Sequence, residues 1–199
     1  MKPEDIGKAY DRITHLWESE GFNRENGVIQ HERAIAFCDQ RGMALDVGCG
    51  CTGRFIDLLL NNGFTPEGVD VSQEMLGLAK QKHPGITFYQ QDICQWHLPQ
   101  KYDFISAWDS IWHVPLAEQE AVIKKLLAAL NPKGVLIFSF GGVDRESDHL
   151  DSTMGPEMYY ATLGVSGFLN VIMAQGCVCR HLEYDQYPEM HTYLIAQKL

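Results

Sequence analysis

The chain has 199 residues, 45% of them hydrophobic, and a formal net charge of −10. That length and composition suit one domain whose core needs no disulfide or metal, and the acidic balance, offset by no Lys/Arg cluster, argues against a nucleic-acid partner because a phosphate backbone would be repelled. No N-terminal stretch joins a basic flank to an apolar run and a small-residue cleavage site, and the longest apolar runs, such as Gly134 to Phe140, are too short to span a bilayer; both point to a cytoplasmic protein without membrane contact. The six cysteines (Cys38, Cys49, Cys51, Cys94, Cys177, Cys179) form two CxC pairs but no set at zinc spacing, and read as free thiols.

In chain order, Pro3 to Ser19 carries Ile6, Tyr10, Ile13 and Trp17 at spacings of three and four, which predicts an amphipathic helix opened by proline, and Gly27 to Gln40 predicts a second. From there helical and strand patterns alternate. Strand Met43 to Val47 is followed by helix Arg54 to Asn61, strand Thr65 to Asp70 and helix Gln73 to Gln81. Next come strands Ile86 to Gln90 and Tyr102 to Ala107, helix Leu116 to Leu130 and strand Gly134 to Phe140, with Gly63, Pro84 and Asn131 to Gly134 (NPKG) at the turns. Such alternation means a mostly parallel sheet with helices on both faces. After a helix near Val165 to Ala174, the runs Val178 to Tyr184 and His191 to Gln197 predict an antiparallel hairpin at one sheet edge.

The run LDVGCGCTGRF, Leu45 to Phe55, places a glycine loop between the first strand and its helix. Gly48 and Gly50 let the backbone turn sharply and approach a ligand, and Gly53 lets the helix pack closely. In an open α/β sheet this is where ligands sit, at the point where strand order reverses. The spacing GxGxxG serves a pyrophosphate or a carboxylate equally well, so the loop alone leaves the ligand open. Three acids narrow it: Asp46 near the end of the first strand, Asp70 at the end of the second, and Asp92 after the third. A carboxylate at Asp70 can accept ribose hydroxyls, and one at Asp92 can accept the exocyclic amine of adenine while Ile93 and Met75 flank the ring.

On these residues the chain resembles the class I S-adenosylmethionine-dependent methyltransferases, especially their small-molecule group. The resemblance runs from about Met43 to the C-terminus through LDVGCG, GVDVSQEML, QQDI, YDFISAWDSIWHVP and LNPKGVLIFSF. It implies a Rossmann-like, seven-stranded, mostly parallel sheet with a C-terminal antiparallel hairpin and N-terminal capping helices. One domain would then divide into a cap (1–42) and a cofactor-binding core (43–199) with a lid or substrate loop (141–160). It implies further that Gly48 and Gly50 hug the methionine part of S-adenosylmethionine, that Asp70 binds ribose, that Asp92 and Ile93 hold adenine, and that backbone near Ala107 and Trp108 receives the methionine amino group. Asp46, Cys49, Arg54, Val71 and Met75 complete the candidate cofactor set. The loop DVGCGCTG has one residue more before its third glycine than the usual pattern, which leaves the path at Cys51 and Thr52 and the role of Arg54 open. A nicotinamide reductase is the rival on such a fold, but about forty residues and two helices precede the glycine strand and no YxxxK occurs.

A sulfonium makes its methyl group electrophilic, so transfer requires chiefly an in-line nucleophile and the exclusion of water. Where the nucleophile carries a proton, histidine is the usual base near neutral pH. The candidates are His113 after the fourth strand, His149 in the loop after the fifth and His191 at the start of the last, with His15 on the first helix. Tyr10, Trp17, Trp112, Tyr159 and Tyr160 are candidate walls of a substrate pocket. Gly141 to Pro156, long and rich in Gly, Asp and Ser, reads as a functional loop. The fourth motif, AWDS, lacks the DPPY or NPPY pattern of base-directed amino-methyltransferases, and only Asp109 and Asp144 lie where a metal-assisted enzyme would need carboxylates. The expected acceptor is therefore a small metabolite and no metal is expected. A methyltransferase-like protein that binds the cofactor without turnover is the second reading.

Overall fold

The computed structural model describes all 199 residues. Its main sheet has the order β3-β2-β1-β4-β5-β9-β8, built from β1 (Met43–Val47), β2 (Thr65–Asp70), β3 (Thr87–Gln90), β4 (Tyr102–Ala107), β5 (Leu130–Gly141), β8 (Cys177–Glu183) and β9 (His191–Lys198). The first five are parallel, whereas β9 pairs antiparallel with β5 and with the edge strand β8, as the sequence predicts. Strand order reverses between β1 and β4, so their carboxyl ends splay and leave a crevice.

Alternation along β1 builds two cores. Ala44 faces a cluster with Ala34, Phe55, Leu59 and Phe104, while Leu45 and Val47 face the opposite cluster with Ile105, Leu126, Phe138 and Phe168. The first cluster is covered by α3 (Val28–Ile35) and α4 (Arg54–Asn61), the second by α6 (Leu116–Ala128) and α7 (Gly164–Ala174). Both faces being buried explains why the parallel strands read as continuous apolar runs. Helix α5 (Gln73–Lys82) is capped by Ser72, whose Oγ accepts from Met75 N at 3.1 Å.

Three elements differ from the sequence expectation. The first predicted helix is broken into α1 (Pro3–Asp11) and α2 (His15–Glu18). At the break the Asp11 carboxylate leaves its own helix to accept from Ser72 Oγ at 2.6 Å and from Glu74 N at 3.0 Å, which ties α1 to the start of α5. The second helix ends at Ile35 rather than Gln40, because the Arg41 guanidinium turns back to take the carbonyls of Ile35 and Cys38. The NPKG turn lies inside β5 as an excursion: Leu130 pairs with Tyr102 and pairing resumes at Val135 with Phe104, Lys133 between them adopting φ +67°.

The stretch expected as a long loop also contains a hairpin, β6 (Ser147–Asp151) with antiparallel β7 (Met158–Thr162). Strand β6, SDHLD, is exposed and carries no apolar alternation, so nothing in its pattern announces a strand. Strand β7 is held by burial: Met158 packs with Ile6, Ala9 and Ile13 of the N-terminal segment.

The glycine loop follows β1 in one tight path. Gly48 N and Cys49 N both donate to Val69 O, at 2.8 and 3.1 Å, and Lys82 Nζ donates to Cys51 O at 2.8 Å. The additional residue is absorbed by burying Cys51 and Thr52, after which Gly53 enters α4 at φ +74°. A Cβ on Gly53 would run into the His83 ring, which Asp57 holds at 2.8 Å. Gly53→Ala is therefore expected to lower unfolding free energy by about 1–3 kcal/mol through the strained φ and the clash. Denaturant titration checks it; an unchanged midpoint would show that the loop relaxes freely.

Candidate functional site

A cavity of about 510 Å³ opens at the carboxyl ends of β1, β2 and β4. Its floor is the glycine loop, its roof is α1 and α2, and its far wall is the 3₁₀ turn Ile111–His113 after β4. Of the residues singled out for a cofactor, Gly48, Cys49, Gly50, Arg54, Asp70, Val71, Met75, Asp92, Ile93 and Trp108 line it. Asp46 and Ala107 stand behind the wall, fully buried in their strands. Of the aromatic residues singled out for a substrate, Tyr10, Trp17, Trp112 and Tyr160 line the cavity and Tyr159 does not.

Asp70 is anchored twice: its Oδ2 accepts from Gly50 N and its Oδ1 from Ser72 N, each at 2.9 Å. Burial raises its pKa, a shift that these amides only partly offset, and the carboxylate is fixed in place with lone pairs to spare. Asp92 uses Oδ1 to accept from Cys94 N at 2.8 Å, an Asx turn. A Cβ on Gly50 would meet no atom, which leaves open space over the loop where a ligand can approach.

Behind the loop lies a buried polar column. His31 Nδ1 is 2.6 Å from the Gly27 carbonyl and its Nε2 2.8 Å from Ser106 Oγ. A carbonyl only accepts, so Nδ1 carries the proton and Nε2 accepts from Ser106. Burial pushes the His31 pKa down to about 3, leaving the ring neutral and stacked on Phe55 at 3.8 Å. Burial also pushes Asp46 up to about 7, against the attraction of the Arg54 charge, which lowers it.

The three candidate histidines separate. His113 lies on the cavity wall with Nδ1 2.8 Å from Tyr159 O and Nε2 2.7 Å from Tyr10 Oη. The same carbonyl logic makes Nδ1 the donor, so Nε2 offers its lone pair to the Tyr10 hydroxyl. Burial lowers its pKa to about 4, and it is uncharged at neutral pH. Tyr159, outside the cavity, thus sets the tautomer through its backbone. His149 stands on exposed β6, stacked on Tyr160 at 5.3 Å and off the cavity. His191 is also off the main cavity, bridging Asp185 Oδ1 at 2.5 Å and Asp109 Oδ1 at 3.0 Å.

Several lining residues escaped the sequence reading. Asp109, considered there only for a metal, lines the cavity in a left-handed conformation, φ 52°. Ser139 holds it there: Ser139 Oγ accepts from Asp109 N at 2.7 Å and donates to Asp109 Oδ1 at 3.1 Å. Phe22, Phe55 and Met154 also face inward. Met154 comes from the β6–β7 turn, inside the segment read as a functional loop, though nothing in the sequence singled out that residue; the AWDS motif could have flagged Asp109, being one residue beyond Trp108.

Burial lowers the His191 pKa, but Asp109 and Asp185 outweigh it and the net shift is upward. Its stabilisation is full below the unfolded value near 6.5 and is lost as pH rises through the folded value. His191→Gln is expected to cost more stability at pH 6 than at pH 9, read from denaturant midpoints. Equal losses at both would show that the imidazolium charge contributes nothing.

Comparison with known proteins agrees with this geometry. Residues 44–134 match the family described as methyltransferase domain. A stretch of 140 residues is 26% identical to dTDP-3-amino-3,6-dideoxy-alpha-D-glucopyranose N,N-dimethyltransferase of Streptomyces fradiae, covering 67% of this chain and 52% of that one. Another of 94 residues is 39% identical to trans-aconitate 2-methyltransferase of Yersinia pseudotuberculosis serotype O:1b, covering 46% and 35%. The aligned stretches thus span about half or less of these curated relatives. Magnesium protoporphyrin IX methyltransferase from Synechocystis PCC 6803, solved with S-adenosylmethionine bound, superposes with a TM-score of 0.74 at 21% identity over 100% of this chain and 98% of its own. An amino pentose methyltransferase from Micromonospora echinaspora, also solved with that cofactor, gives 0.70 at 18% identity over 93% and 95%. Residues 44–134 are thus similar to a methyltransferase domain, and the chain has the fold of these S-adenosylmethionine-bound methyltransferases.

Proposed function

We propose that this protein is an S-adenosylmethionine-dependent methyltransferase that passes a methyl group to a small metabolite and releases S-adenosylhomocysteine. One observation carries the reading: a single cavity joins a glycine loop and two strand-end carboxylates, Asp70 and Asp92, to an aromatic wall bearing a neutral histidine. The cavity volume of about 510 Å³ falls in the range of small-molecule sites. The methyltransferase relatives and the cofactor-bound structural neighbours support it.

The residues suit the cofactor. Asp70 keeps two lone-pair positions for ribose hydroxyls after serving Gly50 and Ser72. Asp92 Oδ2 is left for the adenine amine, with Ile93 and Met75 beside the ring and Val71 and Cys49 closing the edge. Gly48 and Gly50 let the methionine part lie against backbone, and the backbone at Ala107 and Trp108, next to Asp109, takes its amino group. Asp46 supports this from behind as a buried group. S-adenosylmethionine supplies, when bound, a methyl group already activated by a sulfonium.

The protein is left with positioning and the exclusion of water. Residues 1–42 act as a cap over the core 43–199, and the segment 141–160 contributes Met154 and Tyr160 to the substrate rim. Among the candidate histidines only His113 faces the cavity, and its Nε2 lone pair is where an acceptor hydroxyl or N–H is received in place of Tyr10. Trp17, Trp112 and Tyr160 give a flat apolar surface for the acceptor. The acidic charge disfavours nucleic acid as acceptor. The six free cysteines suit a reducing, cytoplasmic setting.

Calorimetry with S-adenosylhomocysteine, S-adenosylmethionine and NAD is the direct test. Binding of the first two and not of NAD is expected; the reverse would overturn the reading in favour of a reductase. Asp70→Ala should weaken S-adenosylmethionine by about 1–3 kcal/mol, the cost of a lost charged acceptor. Radiolabelled methyl transfer to a metabolite panel then separates an enzyme from a protein that binds the cofactor without turnover.

A further inference from the structure

One polar side chain of α6 turns back toward the 3₁₀ turn that carries His113. Gln119 is fully buried, and its Nε2 donates to Ala161 O at 2.8 Å, to Ile111 O at 3.2 Å and to Val114 O at 3.3 Å. Carbonyls only accept, so the amide nitrogen, not its oxygen, must face them. Two hydrogens serve three acceptors, the two longer contacts sharing one. The amide oxygen is left buried without a partner. An unpaired buried acceptor is costly, so what the nitrogen does outweighs it.

The three carbonyls are not scattered. Ile111 opens the turn and Val114 follows it, so they bracket His113. Val114 N donates to Ile111 O at 3.0 Å, which closes the turn on itself, and the amide ties the closed turn to β7. Ala161 lies on β7 two residues beyond Tyr159, whose carbonyl receives His113 Nδ1–H at 2.8 Å. Carbonyls two apart on a strand point the same way, so one edge of β7 takes the imidazole and the amide side by side. The start of α6 docks there too, Leu116 N donating to Tyr159 Oη at 3.3 Å.

With Nδ1–H held on β7, the ring turns its Nε2 lone pair toward Tyr10 Oη, 2.7 Å away. A turn free to rock against β7 would loosen the Nδ1–H bond and let the proton exchange between the two nitrogens. We infer that Gln119 is a positioning residue: its amide clamps the His113 turn onto β7 and so keeps the imidazole in the tautomer that presents Nε2 as an acceptor. The inference deepens the proposed function, on which the use of that lone pair rests. Gln119 does not line the cavity and acts only through His113. The ring is faced by Tyr10 from α1, Tyr160 from β7 and Trp112 of its own turn, with Asp109 the nearby charge, and replacing Gln119 by a neutral residue alters none of them.

Ring-nitrogen NMR of the full chain with isotope-labelled histidine, at neutral pH and without ligand, reads the tautomer directly, and His113→Asn assigns the signal. Wild type should show a single Nδ1–H form at His113. Gln119→Met, which keeps the volume and removes both donors, should give a mixture of tautomers and move the titration midpoint up from about 4 toward the ordinary value of about 6.5. The His31 tautomer, fixed separately by Gly27 and Ser106, and the affinity for S-adenosylhomocysteine should stay as in wild type, reporting an intact fold. If Gln119→Met does not fold, Gln119→Asn, with its amide on a shorter arm, should show the same mixture in smaller proportion. Val122→Ala, which opens a cavity in the apolar core beneath the same helix, should leave His113 unchanged. His113 unchanged in the Gln119 variants, changed only together with His31, or changed as much by Val122→Ala overturns the clamp. An Nε2–H form in wild type overturns the clamp and the lone-pair role together, while binding of S-adenosylhomocysteine decides the cofactor reading separately.

Discussion

The carboxylate of Asp70 is the tie on which the site depends. By accepting from Gly50 N and Ser72 N it joins the glycine loop after β1 to the end of β2, the two backbone stretches that must stay together for any ligand to bridge them. Ser72 carries the tie onward, capping α5 with the same hydroxyl that donates to Asp11. A loop, a strand end, a helix start and the N-terminal cap are thus held through one short chain of hydrogen bonds. Burial of that carboxylate is unfavourable alone, and the amides are what make it tolerable.

A second chain of contacts closes the cavity from the other side. Tyr10 of α1 donates to His113, and His113 donates to the backbone of Tyr159 on β7, so three elements distant in sequence meet at one imidazole. The opposing walls have unlike chemistry. The Asp70 side offers acceptors to hydroxyls and cations, the His113 side offers rings and one neutral lone pair, and Arg54 stands between them as the lone cation. Such a division suits a ligand with a charged, polar half and a reacting partner that is flatter and less polar.

The parts legible in the sequence are those with local or periodic causes. The alternation of strand and helix, the closing hairpin and the positions of Gly48, Gly50, Asp70 and Asp92 follow from burial of both sheet faces and from backbone needs at strand ends. Where prediction departed from the structure, a side-chain contact decided: Asp11 pulled toward α5 interrupts the first helix, and Arg41 folding back ends the second. The hairpin β6–β7 stayed hidden because only the packing of Met158 on Ile6, Ala9 and Ile13 gives β7 its reason, and β6 merely pairs with it.

By itself the sequence determined the sheet class, the ligand crevice and the strand-end residues that line it, since hydrophobic period and strand-end chemistry are written in consecutive residues. Only the tertiary structure decided among the histidines. His113, His149 and His191 look alike in a chain, but a proton's position and a ring's charge depend on neighbours brought from far away: a carbonyl on β7 and burial for His113, an open strand for His149, two carboxylates for His191. The same holds for Arg54, whose lack of a partner is a fact of three-dimensional packing that no spacing of residues encodes.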